Sequence, residues 1–542
     1  MDYYSKVIPM NLLKNSISND PIIDWINLQN IHQVYYKKDK NNYFYNYISV
    51  YTTKYKELFF KNIENKIKEI IPDLEVHKYF DETTTINLIH SNYPVIIKPK
   101  IINKKYNISV SVDILIKKYL FKKIFTDIKN VNINTIDDNY YLTINIIPQI
   151  VSFKADEKSL ICNDVINYNQ CELYVFNNAL KLYGIKRDNI GFICAKGYIL
   201  KNTLLNKKQN IGIVKYDNEI KSLVINSLDW LHRLKTKSYR ITNNGSECLE
   251  LYPNMNYKNT EYQEEKKVIA EKIKEITLVW KISYLERCSL IKIGIKTWNN
   301  PYLLRNLYDF NDTNTRHIQE NIIHINTHND IIMMPRILSN YNKSFIEPSK
   351  NEYILDIESL LNLEEKTSYF HDIISEDKAN VCIIGNIHMQ NNKMISFKDY
   401  TINNLSLKEE KRILYNWLES LKPNDNDFIK IYHWGNAENI YINNLKKKYP
   451  DIIWPKILLL DVLEVFKKEP IIIKNCFNFS LKTIGKQMYY HNMINTTWSE
   501  TDSGLNASIR FKEICEFNKD KKIPLKRYNE ISDIVNYNKI DC

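Results

Sequence analysis

Carboxylates at three separate places in the last third of the chain are the side chains best suited to do chemistry. Asp356 and Glu358 form an acid-x-acid pair at the end of the apolar run Y-I-L-D. Glu438 follows a second apolar run, and Asp541 lies four residues after Tyr537 in a helical pattern. Acids carried by strands and helices in this order can converge on one point and hold divalent metal ions.

Such a set predicts hydrolysis of phosphodiesters with two Mg²⁺ or Mn²⁺ ions. Two ions about 3.5–4 Å apart stabilise both the attacking hydroxide and the leaving oxygen. Asp356 would bridge the two ions. Glu358 and Asp541 would complete one metal site, and Glu438 would support the other. Tyr537 precedes Asp541 by one helical turn, so it would face the same side and orient the attacking water.

Other interpretations of these acids stay open at this point. An acid-x-acid pair at a strand end is usually a capping or solvent-facing pair. Asp461 also follows an apolar run and is a rival to Glu438, although its setting resembles a strand before a lid segment. The ordered set has more weight than its parts because each acid follows the expected element.

The elements around the acids predict an α/β domain with a mixed sheet. Strand-like runs occur at 353–356, 381–388, 394–397 and 428–433. Apolar residues at helical spacing predict a helix over 407–421 and a second helix after Asn436, whose side chain could cap it. Three strands, a helix, a strand and a further helix form the opening order of an RNase H-like sheet and not a repetition of βαβ units.

The residues before this α/β domain divide into two segments with different residue patterns. In the first segment we predict strands over 108–116 and 142–150 and a helix over 172–182. Between about 205 and 345 the pattern changes. Residues 266–288 are predicted to be strongly helical, and the polar stretch 311–330 to be a loop or linker.

Composition favours a globular protein with a polyanionic partner. A chain of 542 residues predicts two or three domains, and 44% hydrophobic residues exclude a disordered chain. The formal charge of +12 modestly favours nucleic acid. Lysines recur together at 117–118, 122–123, 207–208 and 446–448.

The cysteines and the apolar runs indicate an intracellular protein, in the cytoplasm or the nucleus. Nine cysteines without a C-x-x-C argue against an iron–sulfur cluster or structural zinc and for thiols in a reducing compartment. No apolar run reaches the ~20 residues that a bilayer span needs, and no secretory segment follows Met1. No membrane partner is expected.

Residues from about 350 to 542 resemble the YprB-type RNase H-like members of the DEDD exonuclease superfamily. The similar segments are H-W-G-N-A-E, L-L-L-D-V-L-E-V-F, F-N-F-S-L-K-T-I-G-K and Y-N-K-I-D-C. The resemblance implies that Asp356 and Glu358 form the first motif, that Glu438 is the second-motif acid, and that Tyr537 and Asp541 form the third. It therefore implies a 3′–5′ exonuclease of the tyrosine subclass.

Two departures from that family bear on this expectation. Glu438 stands where the wider superfamily has Asp, and the longer side chain would shift the metal geometry. The family continues into a helix beyond the third motif, so we expect a domain truncated at its C-terminus.

The N-terminal segment resembles the RecB-like PD-(D/E)XK nuclease domain found fused to this exonuclease-like domain. The matching segments are S-V-D-I-L-I, which contains Asp113, and Q-C-E-L-Y-V-F-N-N-A-L-K-L-Y-G. Active relatives carry an acid and a lysine on the next strand, where this chain has Asn145 and Ile147. An amide binds a divalent ion far less well than a carboxylate, so this site is expected to be degenerate. Glu57 is a weak match to the family's early helical acid.

These resemblances predict three domains: a RecB-like domain over 1–204, a helical connector over 205–345 and an RNase H-like domain over 346–542. In the connector, I-K-I-G-I-K-T-W resembles a helix-hairpin-helix element. The leading hypothesis is a metal-dependent nuclease acting on DNA or RNA. The alternatives are a catalytically degenerate nucleic-acid-binding protein and an interaction scaffold. The oligomeric state stays open.

Overall fold

A computed structural model shows how the predicted elements are arranged. It describes residues 7–31, 36–38, 43–78, 81–130, 138–206, 209–243, 245–246, 248–257, 262–307, 313–335, 345, 349–360, 379–423, 428–498, 504–521 and 523–542. The described residues form two compact units. Residues up to 38 and from 48 to 267 belong to the first unit, and residues 43–47, 268–360 and 379–542 belong to the second.

The first unit mixes helices with two sheets. Its strands are β1 (Ile8–Pro9), β2 (His77–Lys78), β3 (Val95–Ile97), β4 (Lys100–Asn103), β5 (Ile108–Ser111), β6 (Ile114–Lys117), β7 (Tyr141–Ser152), β8 (Arg187–Leu200), β9 (Thr203–Leu205) and β10 (Gly212–Lys215). Its helices are α1 (Lys14–Ile17), α2 (Ile22–Ile31), α3 (Tyr43–Ile70), α4 (Glu82–His90), α5 (Lys118–Ile124), α6 (Asp164–Leu182) and α7 (Asn218–Thr236).

The larger sheet of the first unit has the order β10-β8-β7-β6-β3-β2, with β9 on β8. Strand β7 is apolar and almost wholly buried, as expected of a strand covered on both faces. The predicted single strand over 108–116 is wrong, because β5 and β6 belong to different sheets. The chain leaves the ladder at Asp113, whose backbone N–H donates to the Asn145 side chain instead of a neighbouring strand.

The second unit is also α/β. Its strands are β11 (Met333–Met334), β12 (Asn351–Ser359), β13 (Val381–Gln390), β14 (Lys393–Thr401), β15 (Ile429–His433), β16 (Ile457–Asp461) and β17 (Ile472–Ile473). Helix α8 (Gln263–Lys272), like α3, has residues in both units. The other helices of the second unit are α9 (Tyr284–Lys292), α10 (Leu303–Asn306), α11 (Thr313–Thr327), α12 (Leu407–Ser420), α13 (Ala437–Lys448), α14 (Val462–Lys468), α15 (Leu481–Tyr490), α16 (Gly504–Phe517) and α17 (Asn529–Asp541).

A five-stranded mixed sheet organises this unit, in the order β14-β13-β12-β15-β16. β12, β13 and β14 pair antiparallel, whereas β15 and β16 run parallel to β12. Numbered along the chain, the order is 3-2-1-4-5, so the first strand is central. The predicted strands and the helix over 407–421 are confirmed. Ser406 caps α12, and Ile413, Leu414 and Trp417 are buried on one face of that helix.

Two predictions for the middle of the chain are wrong. The helical pattern of 266–288 is broken, because α8 ends at Lys272 and the chain takes positive φ angles at Lys274 and Lys281 before α9 begins. The expected loop over 311–330 contains α11. Residues 311 and 312 lie outside the described residues. Ile318, Ile322 and Ile325 recur at helical spacing among polar residues and are buried in a core cluster.

The helix predicted after Asn436 is α13, but the Asn436 side chain makes no capping bond to it, so the predicted cap is wrong. Within the described ranges, none of the helices combines the length and hydropathy needed to cross a bilayer. All nine cysteines lie in the described ranges, and none of them forms a disulfide.

Candidate metal centre

Three of the predicted acids meet where α17 packs against the central strands of the five-stranded sheet. Asp356 and Glu358 are two residues apart on β12, so their side chains lie on the same face. α17 brings Asp541 to this face. One carboxylate oxygen of each acid lies within 4.8 Å of the corresponding oxygens of the other two. Segments almost two hundred residues apart in sequence thus form one acidic cluster.

The same helix supplies two more polar groups. The Asn538 amide donates to the Asp356 carboxylate at 2.5 Å and to the Asp356 backbone carbonyl at 3.2 Å. Burial raises the pKa of Tyr537, and the Asp541 and Glu358 carboxylates close to its hydroxyl raise this pKa further. Asp356 is therefore fixed in orientation, and a phenol lies at the edge of the acidic cluster.

Asp541 is oriented by an indole. Trp498 Nε1 donates to Asp541 Oδ1 at 2.6 Å. The ring of Trp498 lies over Gly485 on α15, where an added Cβ would be 2.5 Å from the indole. A residue without a side chain is required at 485 for Trp498 to lie where it does.

Glu438 is in the first turn of α13, which follows β15 beside β12. The residue is 5% exposed, and Oε2 is buried without a hydrogen-bond partner among the described residues. The Glu438 charge acts on both Asp356 and Glu358. A buried carboxylate oxygen that lacks a donor is costly, and a bound cation would satisfy it.

The rival acid Asp461 has a different use. Its Oδ1 accepts from the backbone N–H of Gly435 at 2.8 Å and of Leu463 at 2.9 Å. Gly435 has φ +88°, in the left-handed region that favours glycine. Asp461 thus caps α14 and holds the loop that precedes Glu438.

His433 ends β15 and shapes the same loop. Burial lowers the pKa of His433, so the ring is neutral near pH 7. Nδ1 lies 2.7 Å from the Gly435 carbonyl oxygen and must donate to it, because a carbonyl can only accept. Nε2 is left as an acceptor, and it is buried without a hydrogen-bond partner in the described part of the chain.

The acids oppose one another's ionisation. Burial, followed by repulsion from Glu358, raises the pKa of Asp356 well above its usual range. Burial and Asp541 raise the pKa of Glu358 to about 8, and burial raises the pKa of Glu438 to about 7. Grouped carboxylates with raised pKa values are typical of functional sites, where a cation compensates for the repulsion.

The donor set fits a hard divalent cation. Asp356, Glu358 and Asp541 offer only oxygen ligands, which Mg²⁺ and Mn²⁺ prefer. Glu438 adds a buried oxygen that accepts no hydrogen bond from any residue that the structure describes. The arrangement can therefore hold a divalent cation against one face of the sheet.

The predicted degenerate site in the first unit is filled by internal partners. Asp113 accepts from Lys56 Nζ at 2.9 and 2.7 Å and from the Ile146 backbone N–H at 2.7 Å. Asn145 occupies the place predicted for an acid, and its amide donates to Glu172 at 3.0 Å. Ile147 is buried in β7. Lys56 provides the positive charge beside Asp113.

Glu57, the weak match, pairs with Lys98, whose Nζ lies 3.5 Å from the Glu57 carboxylate. Glu172 was missed as a member of the cluster, although it lies within the Q-C-E-L-Y-V segment. Burial raises the pKa of Glu172 to about 7.

Sequence reasoning also missed residues that support the second-unit site. Asn538 lies between Tyr537 and Asp541 in the Y-N-K-I-D-C segment, so its helical position was a usable signal. Trp498 lies in a polar stretch with no motif to mark it, and nothing in the sequence indicates its bond to Asp541.

Several of the recurring lysines make contacts within the protein. Lys118 is buried 3.7 Å from Asp138, which also accepts from Lys122 at 2.9 Å. Lys448 donates to the buried Glu410 at 2.6 Å. Residues 207–208 lie outside the described residues. These lysines therefore say less about a nucleic-acid partner than their spacing suggests.

No protein-family model matches the chain, and neither a curated protein nor a solved structure is detectably similar to it. The family resemblances thus remain predictions, and any function must be argued from the site itself.

Proposed function

We propose that the chain is a metal-dependent nuclease, a 3′–5′ exonuclease that hydrolyses DNA or RNA phosphodiesters with two Mg²⁺ or Mn²⁺ ions. The observation that carries the proposal is the meeting of Asp356, Glu358 and Asp541 oxygens within 4.8 Å, beside the buried Glu438. An RNase H-like architecture is supported by the 3-2-1-4-5 strand order, with the first acids on the central strand. The tyrosine-subclass DEDD motifs are supported by Tyr537 and Asp541 sharing one helix with contacts to that strand.

The acids would bind the metal ions, and Tyr537 would orient the water. Asp356, Glu358 and Asp541 would hold one ion, and Asp356 with Glu438 would hold the other. Bound ions would lower the pKa of the attacking water and stabilise charge on the leaving oxygen. Burial, with repulsion from Asp541, raises the pKa of Tyr537. Tyr537 therefore stays protonated at neutral pH and orients the water by hydrogen bonding instead of acting as a base.

Asn538 and Trp498 act through the acids and are positioning residues. Each donates an N–H to a carboxylate oxygen and so fixes the orientation of that acid. Locking the acids before the substrate binds reduces the reorganisation needed during reaction.

The first unit is proposed to be a nuclease-like domain without catalysis. The Lys56 ammonium group lies against Asp113, where a metal ion would otherwise balance the charge. Asn145 supplies an amide where a second carboxylate is needed. Cleavage is therefore assigned to the second unit alone, with nucleic acid as the partner and an intracellular location.

The proposal is tested with end-labelled single-stranded DNA and RNA in Mg²⁺, Mn²⁺ or EDTA. We expect stepwise shortening from the 3′ end that needs metal and is lost in Asp356→Ala and Asp541→Asn. Asp113→Asn is the matched control and should keep full activity. Salt-sensitive binding without cleavage by the wild type would support the alternative of a degenerate nucleic-acid-binding protein. Cleavage that survives both substitutions would refute the site assignment.

A further inference from the structure

Helix α15 begins near the acidic cluster, and a lysine in its first turn places an ammonium group beside that cluster. Ser480 caps the helix by accepting from the Thr483 N–H at 3.1 Å. The Lys482 ammonium nitrogen, in the first turn, lies 4.4 Å from the centroid of the Tyr537 ring. Its charge also acts on Glu358. A flexible cation thus lies beside both the phenol and the acids of the proposed site.

The same face of α15 continues away from the cluster with a lysine and a tyrosine. Lys486 and Tyr489 follow Lys482 by four and seven residues, which puts all three on one side of the helix. Lys486 is exposed, and Tyr489 is 46% exposed. Ile484, on the opposite side, is buried. From Lys482 to Tyr489 the helix rises about 10 Å.

The charge of this face suits a polyanion. The α15 sequence L-K-T-I-G-K-Q-M-Y-Y contains two lysines and no acid. Lysines beside exposed aromatic rings are the combination by which proteins hold single strands, since phosphates pair with the cations and bases stack on the rings. A duplex cannot use such a ring, because its bases are already stacked on one another.

We propose that α15 is the track for a single-stranded nucleic-acid substrate. Lys482 contacts the phosphate at the metal centre, Lys486 contacts a phosphate farther along the strand, and Tyr489 stacks against a base. This inference rests on the proposed nuclease function and deepens it by naming the substrate as single-stranded. Lys482, which touches the reacting phosphate, is a catalytic residue. Lys486 and Tyr489 bind substrate only.

The test compares Lys482→Met, Lys486→Met and Tyr489→Ala with two matched controls from the same unit. Lys447→Met on α13 and Tyr415→Ala on α12 change exposed residues of the same types, and Tyr415 is 53% exposed. Cleavage is measured in Mg²⁺ on single-stranded DNA, single-stranded RNA and a blunt DNA duplex. Binding is measured by fluorescence anisotropy in Ca²⁺ over a range of salt concentrations. Melting temperatures establish that each variant is folded.

For Lys482→Met we expect a loss of about 30-fold or more in kcat that Lys482→Arg partly restores. Lys486→Met and Tyr489→Ala should each weaken single-strand binding about fivefold or more, with kcat nearly unchanged. The lysine substitutions should also reduce the salt dependence of binding by about 0.7 in slope per lost phosphate contact. The two controls should match the wild type, and duplex should be a poor substrate.

Each outcome separates the track from the nuclease proposal. If the wild type cleaves and the α15 variants behave like the controls, the track is wrong and the nuclease function stands. If the wild type binds without cleaving, the nuclease proposal fails. The track is then supported if Lys486→Met and Tyr489→Ala bind the single strand more weakly than the controls, and it is wrong if they do not. If the wild type neither binds nor cleaves, both proposals are wrong. Equal or better cleavage of duplex would also overturn the track.

Discussion

Gly385 makes room for the Asn538 side chain that orients Asp356. Gly385 lies opposite Asp356 in the antiparallel register of β12 and β13. A Cβ at position 385 would overlap the Asn538 amide, which donates to the Asp356 carboxylate. Glycine is needed at position 385 because α17 packs so closely on β13 that the Asn538 side chain fills the space of a Cβ.

Gly385→Ala should therefore impair the proposed metal site and the packing of α17. We expect a loss of about 1–3 kcal/mol in the free energy of unfolding from the added methyl group. Cleavage should fall by about tenfold or more because Asp356 loses its donor. Denaturant unfolding and cleavage assays measure the two effects. Gly197→Ala is the control, since a Cβ there meets side chains only at ordinary contact distances from 3.4 Å; an equal loss in both variants would contradict this explanation.

Trp498→Phe should show how far cleavage depends on the orientation of Asp541, because Asp541 itself is kept. The substitution removes the N–H donor to Asp541 and keeps an aromatic ring over Gly485. We expect about tenfold slower cleavage and a higher Mn²⁺ requirement, with a stability loss of about 1 kcal/mol. The control is Trp25→Phe, which removes a buried indole bond to the Tyr239 carbonyl in the first unit. Unchanged metal dependence in Trp498→Phe would show that this bond is structural only.

Glu438 and Asp461 can be told apart by amide substitutions. Asp461→Asn keeps an oxygen that accepts from the Gly435 and Leu463 N–H groups, so cleavage should stay within a few-fold of the wild type. Glu438→Gln removes the charge of a proposed ligand, and cleavage should fall by about 100-fold or more. Initial rates at saturating metal give the comparison. The reverse order of effects would make Asp461 the second-motif acid.

The raised pKa values predict opposite pH dependences for the metal-free and metal-bound protein. Glu358 has a pKa of about 8 in the folded state and about 4.5 ordinarily. The folded chain therefore binds more protons between those values, and its metal-free stability should fall as pH rises from about 5 to 8. Metal must displace these protons, so metal affinity should rise by up to about tenfold per pH unit over the same range.

Melting temperatures in EDTA and in Mn²⁺ at pH 6 and pH 8 measure both effects. The stabilisation by Mn²⁺ should be larger at pH 8 than at pH 6. Glu358→Gln should flatten the dependence in EDTA and reduce the response to Mn²⁺. An equal Mn²⁺ effect at both pH values would show that these acids do not bind the ion.

Asp113 should matter for stability and not for cleavage. Asp113→Ala leaves the Lys56 ammonium without its carboxylate and the Ile146 N–H without its acceptor. We expect a loss of about 2–4 kcal/mol in the stability of the first unit. Hydrogen exchange of β6 and β7 localises the effect, and cleavage should be unchanged. A loss of cleavage in a folded Asp113→Ala protein would return this unit to consideration as a nuclease.

The sequence predicted the elements whose residue patterns are local. Asp356 and Glu358 lie at the end of an apolar strand. Tyr537 and Asp541 are four residues apart, which places them on the same side of helix α17. The acidic cluster could therefore be predicted from the spacing of these residues. The split at Asp113 could not, because alternating apolar residues continue through it. At the split, the Asp113 N–H donates to the side chain of Asn145, a contact between residues far apart in sequence.

Contacts made by unmarked residues were likewise beyond prediction. Trp498 reaches Asp541 across 43 residues, and Lys56 reaches Asp113 across 57. Helix α11 was missed for a different reason, since asparagine and threonine weaken a helical pattern whose apolar residues nevertheless face a core. Tertiary packing decided these cases and not local preference.

The bond between Asn538 and Asp356 closes a loop of 182 residues. Closing so long a loop costs conformational entropy, which the burial of Ile531 and Ile534 of α17 in the core of this unit offsets. Since Tyr537, Asn538 and Asp541 share this helix, one local opening of α17 would withdraw all three side chains from the proposed metal centre at once.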